Sequence, residues 1–262
     1  MNGAASLLVA PIGLTGRSTT AAGSDQNLLA VGDHGGLLSE IRAAAEGGAD
    51  LIVLPQLSFS PYFPANRNRE ALELGERFPS KPMAAAREAA GGSWLAASGY
   101  ECKGEGVFYV RGELGSGSAG CHLVQEQHRI EAAPGRYEQM FFSPGHTGRA
   151  VAESPWGAVG MLIGADVREI GSWTELSNLG ASLVLASVSE TADSWRGTCS
   201  IAAGLATVYE IALVLVNRSP ADDEPDFAGG SLVVDPDGQE IAAGADGLFP
   251  LESFVTSARR EV

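Results

Sequence analysis

Trp156, Gly157, Ala158, Val159, Gly160, Met161, Leu162, Ile163, Gly164, Ala165, Asp166 is an apolar run of strand length that ends on a glycine and an aspartate. An apolar run with no polar alternation reads as a strand buried on both faces. Downstream, Leu183 to Ala186 is a second such run, and the two bracket a helical segment around Trp173 to Leu179. Strand, helix and strand in that order form the repeating unit of a layered α/β fold.

The same unit recurs toward the N-terminus. Ser6 to Ile12 and Leu51 to Leu54 are apolar runs, and Leu37, Leu38, Ile41, Ala44 and Ala45 recur between them at helical spacing. Glu40, Arg42 and Glu46 fall on another face of that helix, and Gly47 and Gly48 end it. Pro82 to Ala90 predicts a second helix, with proline in its first turn, ahead of a strand over Ser93 to Ser98. Val107 to Arg111 and Ala119 to Gln125 predict a hairpin with a flexible tip at Gly115 to Gly117. Leu205 to Glu210 reads as helix leading into a strand over Ala212 to Val216. Leu232 to Val234 and Glu240 to Ala243 flank a turn at Asp235, Pro236, Asp237, Gly238. Gly13 to Gly36, rich in Gly, Ser, Thr and Asp, is expected to be a mobile loop.

Composition narrows the function. With 262 residues and 45% apolar content, the chain can bury a large core, and a single domain over residues 1–262 is expected. A formal charge of -15 repels phosphate backbones and anionic membrane surfaces, which argues against nucleic acid and membrane as partners. No apolar run approaches the roughly 20 residues of a bilayer span, and the N-terminus lacks a secretory pattern, so a soluble, cytoplasmic protein is expected. Cys102, Cys121 and Cys199 are odd in number and widely spaced, which suits buried reduced thiols better than disulfides or zinc. His34, His122, His128 and His146 show no metal-pair spacing, and no cofactor is expected. The only lysines are Lys81 and Lys103.

Several segments together resemble one family. Gly48, Ala49, Asp50, Leu51, Ile52, Val53, Leu54, Pro55, Gln56 is similar to the segment in which nitrilase-superfamily enzymes, the carbon-nitrogen hydrolases, carry a general-base glutamate. Pro134, Gly135, Arg136, Tyr137, Glu138, Gln139, Met140, Phe141, Phe142, Ser143, Pro144, Gly145 resembles the segment after the family's catalytic lysine, and counting back puts that lysine at Gln127. The run ending at Gly164 resembles the strand and turn of the nucleophilic cysteine. Ala206, Thr207, Val208, Tyr209, Glu210, the strand running to Asn217 and Arg218, and Phe227 to Gly238 match later landmarks. The resemblance implies a four-layer α-β-β-α sandwich with glutamine, glutamine and glycine at the three catalytic positions, Gln56, Gln127 and Gly164.

In that chemistry a thiolate attacks carbon, a carboxylate moves the protons, and an ammonium stabilises the developing negative charge. Neutral glutamines and a glycine supply none of these. The resemblance makes Glu138 a supporting glutamate of the pocket and Asp166 the aspartate two residues past the nucleophile. Arg129 could lend positive charge to the same pocket. Each also has a plain structural reading: Asp166 as a helix cap, Glu138 as an acceptor for loop donors, Arg129 as a solvated side chain. Ser187, Ser189 and Cys199 are the residues from which a replacement nucleophile would come, though a serine without a base is a poor one.

The leading expectation is therefore a pseudoenzyme acting as a binding, structural or regulatory subunit. It would form a homodimer, or a hetero-oligomer with an active nitrilase-like or other enzyme subunit. The family commonly dimerises through segments corresponding to Asp166 to Leu179 and Trp195 to Tyr209, where Trp173, Leu176, Leu179, Trp195 and Ile201 are candidate anchors or, equally, residues of the chain's own core. Two alternatives stand beside it. One is an enzyme of altered, non-cysteine chemistry using Glu138, Asp166 or Arg129; the other is a sensor that binds a small amide or carboxylate in the old pocket through Gln56 and Gln127.

Overall fold

The computed structural model describes residues 8–11, 34–104, 106–117, 120–220, 225–243 and 249–250. The expected loop at Gly13 to Gly36 lies outside them up to residue 33, as do the first two residues and the last residue of the Ser6 to Ile12 run.

The apolar runs pair into two six-stranded sheets. In chain order the strands are β1 (Leu8–Pro11), β2 (Leu51–Val53), β3 (Trp94–Gly104), β4 (Val107–Ser116), β5 (Gly120–Glu126), β6 (Val151–Ser154), β7 (Gly157–Ile163), β8 (Leu183–Val188), β9 (Ala212–Asn217), β10 (Ser231–Val234), β11 (Glu240–Ala243) and β12 (Phe249–Pro250). The first sheet has the order β12-β1-β2-β3-β4-β5 and the second β11-β10-β9-β8-β7-β6. Strands β1, β2 and β3 run parallel, as do β7, β8 and β9.

Side-chain alternation along the strands sets the layers. Leu183 and Leu185 of β8 point between the sheets, where they join Leu51, Val53, Ala96 and Leu114 of the first sheet. Val184, Ala186 and Val188 point the other way, against Trp173, Leu176, Ala202 and Ala206. Those four residues belong to helices α3 (Ile170–Asn178) and α4 (Ala192–Val208). On the far side, α1 (His34–Glu46) and α2 (Lys81–Ala90) bury Leu37, Ile41, Met83 and Ala86 against Ile52, Leu54 and Leu95. The result is the expected four-layer α-β-β-α sandwich. Ser80 caps α2, its hydroxyl accepting from the Met83 amide at 3.2 Å. Among the described residues no helix is long and apolar enough to cross a membrane.

Local departures have local causes. The Gly115 to Gly117 segment is not a flexible tip: Gly115 and Ser116 pair with Cys121 and Gly120. A Cβ on Gly117 would lie 2.4 Å from the Gly91 carbonyl oxygen, so glycine is there for close backbone approach. Helix α4 begins thirteen residues before the expected Leu205, because Gly197, Gly204 and several hydroxyl residues hide its period. Strand β6 has only Ala152 buried, too weak a pattern to read.

Candidate active site

The carboxyl ends of β2, β5, β7, β8 and β9 face the same end of the sandwich, the region where open α/β folds place their ligands. Gln56 follows β2, Gln127 follows β5, and Gly164 opens the turn after β7. The three meet. A Cβ built on Gly164 would stand 2.7 Å from Gln127 Nε2 and 2.8 Å from Gln56 Nε2, so the two amides fill the volume a side chain at 164 would take. Gly164 also has φ of +57°, a conformation that non-glycine residues adopt at a penalty.

Glu138 is the acceptor around which the glutamines are arranged. Its carboxylate accepts from Gln56 Nε2 at 3.2 Å, Gln127 Nε2 at 2.9 Å, the Tyr62 hydroxyl at 3.1 Å and the Glu131 amide at 3.1 Å. Gln56 Nε2 also donates to Gln127 Oε1 at 2.8 Å, and Gln127 Nε2 to the Arg129 carbonyl at 2.8 Å. Both glutamines are fully buried, and so, to within 1%, is Glu138. Burial raises the Glu138 pKa above the usual carboxylate range, against the lowering effect of the bond from the Glu131 amide. Burial and the Glu138 charge likewise raise Tyr62 well above its ordinary value.

Beside this hub lies an ionic cluster. Arg136 donates to Glu190 Oε2 at 2.8 Å and to the Ser189 carbonyl, and pairs with Glu131. Arg168 bridges Glu190, at 2.7 Å, and Glu131. Burial opposes ionisation of Glu190, but Arg136, a bond from Ser194 and Arg168 outweigh it and hold its pKa low. Arg218 clamps the backbone next to Gln56, donating to the carbonyls of Gln56 and Leu57 at 3.1 Å each and of Ser60 at 2.7 Å. Leu57 has φ of +54°, a strained value for leucine that this clamp and a bond from its amide to Ser98 Oγ maintain.

Two of the expected site residues serve other roles. Asp166 does not cap a helix: its carboxylate accepts from the backbone amides of His128, at 3.0 and 3.1 Å, and Arg129, at 2.7 Å, and pairs with buried Arg149 at 3.1 Å. It therefore fixes the turn that carries Gln127. Arg129 does not reach the pocket: its side chain is 63% exposed and faces Glu169 at 3.5 Å. Sequence reasoning gave no role to Tyr62, Arg136, Glu190 or Arg218. Arg136 and Arg218 lie inside the quoted family segments, which was the one available signal.

Other nucleophiles are poorly placed. Cys199 lies within α4, packed in the layer outside the second sheet, and burial, Glu240 and Glu190 push its thiol up to about 12. Cys121 is exposed, with its thiol raised by burial of the sulfur and by Glu113. Ser187 and Ser189 are buried with no hydrogen-bond partner for either hydroxyl, so no base activates them. Among the described residues no cluster of His, Cys, Asp and Glu is placed to hold a metal ion.

The carbon-nitrogen hydrolase family model matches residues 25–251. The chain therefore belongs to the carbon-nitrogen hydrolase family, the nitrilase superfamily. No curated protein matches it. Among solved structures, a carbon-nitrogen hydrolase from Helicobacter pylori G27 aligns at 18% identity over 94% of this chain and 87% of its own, with a TM-score of 0.77. An amidase from Nesterenkonia sp. AN1 was solved as a double mutant, glutamate to glutamine and cysteine to alanine, in complex with acrylamide. It aligns at 19% identity over 99% of this chain and 96% of its own, with a TM-score of 0.78. A glutamate-to-glutamine mutant of that amidase, carrying the acetamide moiety of fluoroacetamide on its active-site cysteine, aligns at 23% identity over 99% and 95%, with a TM-score of 0.76. At these identities the likeness is one of fold.

Proposed function

We propose that this chain is a pseudoenzyme of its superfamily, a binding, structural or regulatory subunit rather than a hydrolase. One observation carries the reading: where Gln56, Gln127 and Gly164 meet, the described residues bring no thiol, no cation and no free base, and two glutamine amides occupy the space a nucleophile's side chain would need. Loss of a nucleophile alone lowers turnover by about a million-fold in a well-studied hydrolase, roughly 8 kcal/mol of transition-state stabilisation. The remaining polar groups hold each other. Asp166 is spent on backbone amides and Arg149, and Arg129 faces solvent, which leaves only Glu138 for any altered chemistry.

The Nesterenkonia double mutant, with glutamine for glutamate and alanine for cysteine, was captured with acrylamide. By our reading this chain has a comparable pair natively in Gln56 and Gly164, which supports retention of a ligand without turnover. The surface supports the subunit role. Ile170 is 63% and Val208 72% exposed, and Leu179 and Ile201 are about half as exposed as free side chains, all on α3, α4 or their ends. Trp173 and Leu176 are instead buried in the chain's own core, so the partner-facing anchors are the four aliphatics.

Incubation with a panel of amides, nitriles and carbamoyl compounds tests the first half: ammonia release above buffer, abolished by Glu138→Ala, would refute it. Purification from the native cell tests the second. Recovery as a homodimer or bound to an active homologue is expected; a bare monomer would defeat the subunit role.

A further inference from the structure

The end of the sandwich opposite the glutamine cluster carries a cleft of about 710 Å³. It opens at the amino ends of β2 and β3 and beside the turn that enters β7, so both sheets contribute to it. Trp94, the first residue of β3, and Trp156, just ahead of β7, line it with ring centroids 5.7 Å apart and planes at 66°, an aromatic corner. His122 stacks on Trp94 with centroids 4.4 Å apart. Helices α1 and α2 each lead into the amino end of a parallel strand, β2 or β3, so both helices bring their carboxyl ends to this cleft. Each such end carries the equivalent of about half a negative charge on its unpaired carbonyls. Helix α1 has no basic residue in its last turn, and the one in α2, Arg87, pairs with Glu113 at 2.8 Å. Glu46 and Asp50, both exposed residues of the lining, add two carboxylates. Against them stands Arg42, the one cation among the described lining residues.

We propose that this cleft binds a small organic cation of the methylated alkylammonium class, held between the Trp94 and Trp156 rings and the carboxyl ends of α1 and α2. A cation is attracted to the face of an aromatic ring, most strongly to that of tryptophan. The helix ends and the two carboxylates supply negative potential on the facing side, and a cleft with low-dielectric walls focuses it. Methyl groups on the nitrogen match the indole surfaces and lower the cost of leaving water, which a compact metal ion cannot do without converging ligands. No His, Cys, Asp and Glu cluster among the described residues is placed to hold such an ion. An anion meets the opposite field, in a protein whose formal charge is -15. The cleft lies at the other end of the strands from Gln56, Gln127 and Gly164, so its occupancy is independent of the pseudoenzyme reading.

The test titrates the purified full-length protein with choline and with neohexanol, its uncharged isostere in which carbon replaces nitrogen, by calorimetry and indole fluorescence at low, matched ionic strength. Expected is saturable choline binding at least tenfold tighter than that of neohexanol. Glu46→Gln combined with Asp50→Asn, both at exposed positions, should weaken choline at least threefold, and Arg42→Ala, which removes a like charge, should tighten it. Trp94→Leu should weaken choline at least tenfold. No choline binding, equal binding of neohexanol, or an affinity indifferent to the charge substitutions or to Trp94→Leu in a folded variant would overturn the proposal, as would weaker binding by Arg42→Ala. Should Trp94→Leu fail to fold, the contrast between choline and neohexanol in the native protein decides, with the charge variants. Ammonia release from amides by the same protein would refute the pseudoenzyme reading and leave the cation site standing.

Discussion

Giving Gly164 a side chain should destabilise the protein in two ways that add. Its φ of +57° places any non-glycine residue in the left-handed region, at about 1 kcal/mol. The new Cβ would also lie 2.7 Å from Gln127 Nε2 and 2.8 Å from Gln56 Nε2, well inside van der Waals contact. Both amides would have to retreat from bonds of 2.8 to 3.2 Å, at about 1 kcal/mol for each amide. The total is about 3 kcal/mol, a melting temperature lower by roughly 6–12 °C for a domain of this size. Because the penalty arises at Cβ, Gly164→Ala and Gly164→Cys should lose similar stability by scanning calorimetry, and the cysteine variant should release no ammonia from amides. A Gly164→Ala protein within about 0.5 kcal/mol of wild type would show that the glutamines do not fill that volume.

Other perturbations reach the supports. Asp166→Ala strands buried Arg149 and frees the His128 and Arg129 amides, so it should destabilise by about 3–5 kcal/mol in urea unfolding; a change under about 1 kcal/mol would deny the turn its anchor. Glu138 has a folded pKa above its ordinary 4.5, so the folded state binds the proton more tightly; stability from this group is full below about 4.5 and falls as pH rises through the raised value. Glu138→Gln should remove that decline, and unfolding curves for the two proteins that run parallel across pH would contradict it. Glu190, with a lowered pKa, works in the opposite direction: its contribution is present above about 4.5 and is lost as pH falls through the lowered value, so Glu190→Gln should flatten the acid limb. Arg218→Lys retains charge but loses the fork over three carbonyls and should cost about 2 kcal/mol; hydrogen exchange unchanged around Leu57 would argue against the clamp.

The layers of this fold were legible because apolar runs declare buried strands whatever packs on them. Gln56, Gln127 and Gly164, singled out from spacing within family-like segments, are found side chain against side chain or against the bare Cα. Polar residues were harder to read. Asp166 and Arg129 are close in space through the turn after β5, yet one points inward to backbone amides and the other outward to Glu169, and no local pattern fixes that choice. Arg136, Glu190 and Arg218 gain their roles from contacts 53 to 162 residues away in the chain. The beginning of α4 and strand β6 were obscured because glycines and hydroxyl residues blur the period on which sequence reading relies.

On the proposed reading, Gln56, Gln127 and Gly164 leave the chain without a working acyl-transfer centre. Ammonia release is to be measured side by side for the native protein and for Gln56→Glu, Gln127→Lys and Gly164→Cys combined. Buffer-level release is expected from the native protein, and release above buffer only when all three groups are restored. Turnover by the native protein at a rate matching or exceeding the triple variant would refute the pseudoenzyme reading.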